Sequence, residues 1–259
     1  MAETADTTTP GAPGPGRGPA SADAPCAAPS DVPGAAPSDV PGAAPGGAAG
    51  DEARVGPVVS ARSARRRAAM IEAAMDVFTR HGFAAASLDM VIERSGGSRR
   101  TLYEQFGNKE GLFLATVDAL LGRIVEGLEA GLRLGSDNPE EDLARAGTGW
   151  LRALLSEDAV AVCRLVMAEI ARFPSLGQRF YDTGPSRSYG AIAAYLRQQT
   201  EAGRLAIADP DAAACQFVEM LKGDLHLRAL LCGQTSPPEA AIDAHVRSAV
   251  RLFLKGAAP

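Results

Sequence analysis

AAMIEAAMDVFTRHGFAAASLDMVIERSGGSRRTLYEQFGNKEGLF, Ala68 to Phe113, is the stretch whose reading decides the fold. Ile71, Ala74, Met75 and Phe78 recur at i, i+3, i+4 and i+7, which gives one apolar face of a helix. His81-Gly82-Phe83 ends that helix, because glycine takes the left-handed conformation that a helix end needs. Ser87 reads as the N-cap of a short second helix, Leu88 to Arg94. Gly96-Gly97 makes the turn, and Ser98 caps a third helix, Arg99 to Phe106. Two short helices around a glycine turn, the second opening Ser-Arg-Arg-Thr, form a helix-turn-helix. Its second helix brings base-reading and phosphate-binding side chains together at one end.

The stretch resembles the TetR/AcrR-type transcriptional regulators. The resemblance is carried by Ala73-Ala74 to Phe78, Gly82-Phe83, Ser87-Leu88, Ile92, Ser98, Thr101-Leu102-Tyr103, Phe106 and Asn108-Lys109-Glu110. Its most specific part is the run from Thr101 to Glu110, with Gly82-Phe83 upstream at the family's spacing. A second segment, Arg164 to Leu221, is similar to the C-terminal ligand-binding domain of the AefR-like branch. Together the two resemblances reach over nearly everything from residue 62 onward. They imply an all-α protein. A three-helix DNA-binding head (61–112) is followed by a helical effector-binding and dimerisation domain (113–259), behind a disordered tail (1–60).

Roles within the head divide by chemistry. Ile71, Ala74, Phe78, Leu88, Val91, Ile92, Leu102 and Phe106 are expected in its core. Arg99 and Arg100 open the recognition helix, and arginine pairs with guanine O6 and N7 through two parallel hydrogen bonds. Gln105 reads adenine or binds phosphate. Thr101 and Tyr103 carry hydroxyls that reach phosphate, a role the resemblance assigns them. Lys109 resembles the family's phosphate-contacting lysine, while Asn108 suits the N-cap of the next helix. The candidate DNA-contacting set is thus Arg66, Ser87, Ser98, Arg99, Arg100, Thr101, Tyr103, Gln105 and Lys109. Two residues depart from the family pattern. Gly97 stands where an apolar side chain usually seals the turn, so looser packing of the recognition helix is expected. Glu104 stands where a basic or polar residue is common. It either accepts from a cytosine amino group or pairs with Arg100 one turn earlier.

Upstream, Ala, Pro, Gly, Ser and Thr dominate, and AAPSDVPG at 27–34 repeats directly at 35–42. So little apolar side-chain mass does not offset the entropy of ordering, and disorder is expected. The tail is acidic; it reads as passive, or as lying upstream of the true start, with weak competition for the basic head as the functional alternative. The sign of the charge then reverses at Arg62, Arg65, Arg66 and Arg67, which read either as phosphate contacts or as a solvated helix start. The net charge of −5 over the chain does not oppose DNA binding, because only the field at the head matters.

Downstream, helices are expected over about 108–134, 139–155, 157–172, 176–203 with a break at Gly184-Pro185, 210–232 and from Pro237-Pro238 onward. Pro139 and Pro210 suit first-turn positions, and Phe173-Pro174 ends a helix. The resemblance implies that the last two helices dock on a twin. Leu221, Leu225, Val246, Val250 and Phe253 are the candidate interface, with packing inside one protomer as the alternative. The middle helices are expected to enclose an effector pocket, walled by Trp150, Leu154, Met167, Phe180, Tyr181 and Met220, or to be ordinary core. Arg164, Glu169, Arg187 and His226 are possible polar anchors there, or surface and ion-pair residues.

Several classes are set aside. No apolar run approaches the roughly 18 residues of a membrane span, and no signal peptide is visible. No nucleophile elbow, metalloprotease helix or phosphate-binding glycine loop is present, so an enzyme is not expected. Cys26, Cys163, Cys215 and Cys232 form no Cys-x-x-Cys pair, which points to no metal, no cofactor and a reduced cytoplasmic protein. They read as small core residues, with redox sensing by Cys215 or Cys232 as the alternative. The expected partners are a palindromic double-stranded DNA operator, a second copy of the chain, an apolar or amphipathic small-molecule effector and no membrane. The expected action is that of a homodimeric repressor released by its effector. The alternatives are an effector-independent or activating DNA-binding protein, a helical enzyme, or a DNA-coating protein without sequence preference.

Overall fold

The computed structural model describes residues 56–257, and every regular element among them is helical. The head consists of α1 (Gly56–Ala85), α2 (Leu88–Ser95) and α3 (Arg99–Phe106). α1 begins inside the segment read as tail; the rest of that segment lies outside the described residues. Gly82, at φ 74° and ψ 167°, breaks α1 where the Gly-Phe pair predicted its end. Ser87 caps α2 by accepting from Met90 N, and Gly96 closes it in the left-handed conformation. Phe78 and Leu102 are almost fully buried between these helices, with Val91 and Phe106 beside them. Leu88 and Ile92 pack on the same cluster from its edge.

The body follows as α4 (Lys109–Arg133), α5 (Pro139–Leu154), α6 (Glu157–Glu169), α7 (Pro174–Tyr181), α8 (Arg187–Glu201), α9 (Pro210–Cys232) and α10 (Glu239–Ala257). Capping explains most of the boundaries. Asn108, Asn138, Ser156 and Asp209 each accept from a backbone N–H of the first turn. Pro139 and Pro210 sit where a missing N–H costs nothing. The break expected at Gly184-Pro185 is a π-helical turn, Asp182–Ser186, joining α7 to α8. α4 runs from the head into the body and packs chiefly on α5; α10 covers α5 from the other side, and α8 packs on α9.

Two features were not read from the sequence. α9 is interrupted at Gly223, at φ 46° and ψ −149°. The ring of His245 from α10 fills the notch, and its Nε2 lies 3.1 Å from the Leu221 carbonyl oxygen. Head and body are also joined by rings. Phe83 packs on Phe78 and Phe113, and Phe173 stands edge-on to Phe83 with centroids 5.4 Å apart.

Candidate nucleic-acid interface and effector cavity

The front of α3 faces outward. Ser98 accepts from Thr101 N at 3.1 Å and shares a 2.8 Å hydrogen bond with the Thr101 hydroxyl, so the cap is locked twice. Leu102 and Phe106 hold the inner face, while Arg99, Arg100 and Tyr103 are exposed. Arg62, Arg65 and Arg66 of α1 line a groove with the turn from Ser95 to Ser98 and with Thr101. The basic lead-in therefore shares a concave surface with Ser98 and Thr101 at the start of the recognition helix. Arg67 instead turns back over the Phe106 ring, 5.3 Å from its centroid.

The two candidate base-readers are each held by a carboxylate. Arg99 pairs with Asp89 of α2, and Arg100 Nε donates to Glu104 Oε1 at 2.7 Å. Of the two roles left open for Glu104, the structure contains the pairing. All four side chains are more than half exposed, and water screens such surface pairs, so exchange for DNA is cheap.

Three residues of the head have surroundings that the sequence did not suggest. Lys109, expected at a phosphate, donates to the carbonyls of Ala84 and Ala86 at 3.1 and 2.7 Å, with Nζ 4.7 Å from the Phe83 ring centre. The carbonyls at the end of α1 have no helical partner of their own, and this lysine satisfies them. Gln105, expected to read bases, is half-buried, and its Oε1 is enclosed without a hydrogen-bond partner. At the seventh residue of the helix the side chain swings inward. The turn at Gly97 is sealed after all: a Cβ there would lie 2.4 Å from Met70 Cε, so α1 supplies the apolar plug. Ser87 is exposed, but its hydroxyl is engaged as the α2 cap.

In the body, a cavity of about 70 Å³ lies among α4, α5, α6, the π-turn and α9. Trp150, Leu154 and Phe180 line it as expected. Met167, Tyr181 and Met220 do not: Met167 and Tyr181 are exposed, and Met220 packs at the core edge. Their helical phases place them on other faces of α6, α7 and α9. Leu120, Leu121, Ile124, Lys222 and His226 complete much of the wall, along with Ser188, whose hydroxyl accepts from Trp150 Nε1 at 3.3 Å. Of the four polar anchors considered, only His226 reaches the cavity. Arg164 caps α9 by donating to the carbonyls of Ala229 and Leu230, and Arg187 pairs with Glu129. The volume is well below the roughly 300–1,000 Å³ of ordinary ligand sites, so the cavity is closed down around its side chains. Cys163 also lines it, and burial pushes its thiol pKa up. Cys232 is exposed, and Cys26 lies outside the described residues.

The expected dimer face needs a larger correction. Leu221, Val246 and Val250 are 0% exposed within one protomer, because they form the seam between α5, α9 and α10. Leu225 and Phe253 are half-buried. The apolar residues that α9 and α10 leave outside are Leu227, Leu231 and Leu252, at 55%, 75% and 65% exposure. The kink at Gly223 rotates the end of α9 out of helical phase, which hid this from periodicity.

Comparison with known proteins agrees with this architecture. The family described as "Bacterial regulatory proteins, tetR family" matches residues 70–116. "AefR-like transcriptional repressor, C-terminal domain" matches residues 141–256. The crystal structure of a putative TetR-family regulator from Mesorhizobium loti MAFF303099 superposes with a TM-score of 0.72 at 26% identity. The match covers 76% of this chain and 99% of that one. The flavonoid-responsive regulator FrrA is 30% identical, with a TM-score of 0.61, over 76% of this chain and 98% of its own. The HTH-type transcriptional repressor ComR of Escherichia coli (strain K12) is 35% identical over 100 residues, 39% of this chain. That match spans about half of ComR, 48% of its length. The chain belongs to the TetR family of helix-turn-helix transcriptional regulators, a family of DNA-binding proteins and not of enzymes. No helix among the described residues is long and apolar enough to cross a membrane.

Proposed function

We propose that the chain acts as a homodimeric repressor that binds a palindromic operator and is released by a small molecule entering the body cavity. The observation that carries this is the groove shared by the α1 arginines with Ser98 and Thr101, beside which Arg99, Arg100 and Tyr103 stand exposed. Arg99 and Arg100 read bases once they leave their carboxylates, and Tyr103, Thr101 and Arg66 meet the backbone. Ser87 and Ser98 hold these helices at the groove through their caps. Gln105 turns inward behind the helix, and Lys109 holds the end of α1.

Release is supported by how cavity and head are joined. α7 carries Phe180 into the cavity and starts beside Phe173, whose ring packs on Phe83 of the head. α4 lines the cavity with Leu120 and Leu121 and begins at Lys109, which grips the end of α1. A ligand that widens the closed cavity displaces both connections and changes the spacing of two heads on DNA. Affinity then falls by the ligand's preference for the widened state, typically about 1–3 kcal/mol. The cytoplasm is the compartment where such a protein meets DNA.

Fluorescence anisotropy at fixed, near-physiological salt tests the reading, with the DNA upstream of this protein's own gene as probe and a scrambled fragment as competitor. Binding that scrambled DNA does not displace is expected. Equal competition there, and no preferred site in selection from random DNA, would overturn sequence-specific regulation in favour of a DNA-coating protein.

A further inference from the structure

The cavity is apolar on every side but one. Trp150, Leu121, Leu154, Phe180 and Val218 form its walls. Trp150 and Ser188 satisfy each other, and the Ser188 hydroxyl also donates to the Gly184 carbonyl at 3.1 Å. The polar side is Lys222 and His226 of α9, one turn apart across the Gly223 kink. His226 Nε2 is buried and has no hydrogen-bond partner; among the described residues no other lining atom is so placed. An enclosed polar atom without a partner is costly, and such atoms mark where something else is bound.

Charge narrows the ligand. Lys222 Nζ donates to Glu219 Oε1 at 2.5 Å, but the Glu219 side chain is 55% exposed and stands outside the cavity, whereas that of Lys222 is 21% exposed. Tyr189 holds the same carboxylate oxygen from its other side at 2.8 Å. The inner polar end therefore has an ammonium and an imidazole, and no carboxylate lines the cavity. Burial holds the His226 imidazole below its usual pKa, the Lys222 ammonium acts in the same direction, and the Glu219 carboxylate opposes them without reversing the shift. A ligand amine meets like charge here. An uncharged hydrocarbon leaves Nε2 unpaired. A carboxylate accepts from the Lys222 ammonium and from His226 as its Nε2–H tautomer, and the hydrogen bond to the ammonium is of the stronger, charge-assisted kind.

We propose that the ligand of this cavity is an apolar monocarboxylate, its carboxylate between Lys222 and His226 and its hydrocarbon against Trp150, Leu121 and Phe180. The inference rests on the reading of this cavity as the effector site.

Trp150 is the one tryptophan of the chain, so its emission reports on the cavity directly. The full-length protein is titrated with octanoate, octanol and octylamine, and with the smaller pair benzoate and benzyl alcohol. Octanoate or benzoate should give a saturable change in emission. The matching alcohol should bind about tenfold or more weakly, the loss of one charge-assisted hydrogen bond, and the amine should not bind. Lys222→Met and His226→Leu should each weaken the acid by a similar factor and the alcohol much less, which a merely unfolded variant would not do. Alcohol or amine binding as tightly as acid, or acid binding indifferent to both substitutions, overturns the carboxylate assignment and leaves the cavity as effector site. No saturable response to any of the probes, in a protein with its full helical circular dichroism, overturns the effector-cavity reading itself.

Discussion

Lys109 and Asp142 show how much of this protein rests on single charged side chains used internally. Lys109 satisfies two carbonyls at the end of α1 and sits against the Phe83 ring. Lys109→Met should therefore lower unfolding stability by about 1–2 kcal/mol, measured in urea. The salt slope of DNA binding should stay as it is; a slope smaller by about one would mean a phosphate contact instead. Asp142, 0% exposed, accepts from Ser136 N at 2.8 Å, from Arg145 Nη2 at 2.6 Å and from the Tyr195 hydroxyl at 3.0 Å. Burial works to raise its pKa, but these donors outweigh it and hold the carboxyl below the usual range. A carboxyl depressed in the folded state stabilises it above the unfolded pKa of about 3.9, and that contribution is lost as pH falls through the lower folded value. Asp142→Asn should thus cost on the order of 3 kcal/mol at neutral pH. In urea titrations at a series of pH values, the gap to the parent protein should narrow only below about pH 4.

At the scale of elements, α9 has the least ordinary geometry. Gly223 occupies a positive φ that other residues rarely adopt, and a Cβ there would lie 2.6 Å from His245 Cε1. Gly223→Ala should destabilise by about 1–3 kcal/mol, through backbone strain and the displaced ring together. Adding His245→Ala should recover only the steric part, so a double-mutant cycle by thermal melting should give a coupling energy clearly different from zero. Full additivity would mean that the ring does not occupy the notch. The head behaves differently. Its helix ends follow from local chemistry: Ser87 and Ser98 as caps, Gly82 and Gly96 at positive φ. Each was readable from a few neighbouring residues. The notch at Gly223 was not, because a glycine inside an apolar helical run looks like a small packing residue until its partner on α10 is known.

For the whole molecule, the outward face of α9 and α10 is the place to test assembly. Leu227, Leu231 and Leu252 are exposed, while Leu221, Val246 and Val250 are sealed inside one protomer. Leu231→Glu combined with Leu252→Glu should convert a dimer to monomers in light scattering, with the helical circular dichroism unchanged. Operator affinity should fall with it, because one head alone reads only half a palindrome. A variant that remains dimeric would place the interface on another face. Val246→Glu should instead unfold the body, since it buries an unpaired charge in the seam.

The sequence by itself determined the all-α class, the helix-turn-helix, most helix boundaries, the core of the head and the membership of the TetR family. These depend on spacing, caps and glycine conformation over short stretches of chain. Arg99, Arg100 and Tyr103 were legible as the outer face of α3, because an eight-residue helix has few ways to bury Leu102 and Phe106 together. Tertiary structure decided what each remaining side chain faces. Gln105 turns inward, Lys109 serves α1, and Met70 plugs the turn at Gly97, all through contacts with residues distant in sequence. The cavity wall and the outward face of α9 are of the same kind. Which apolar residues line a void, a seam or a surface depends on how helices cross and where one of them kinks, and hydrophobic periodicity along one helix has no information about its neighbours.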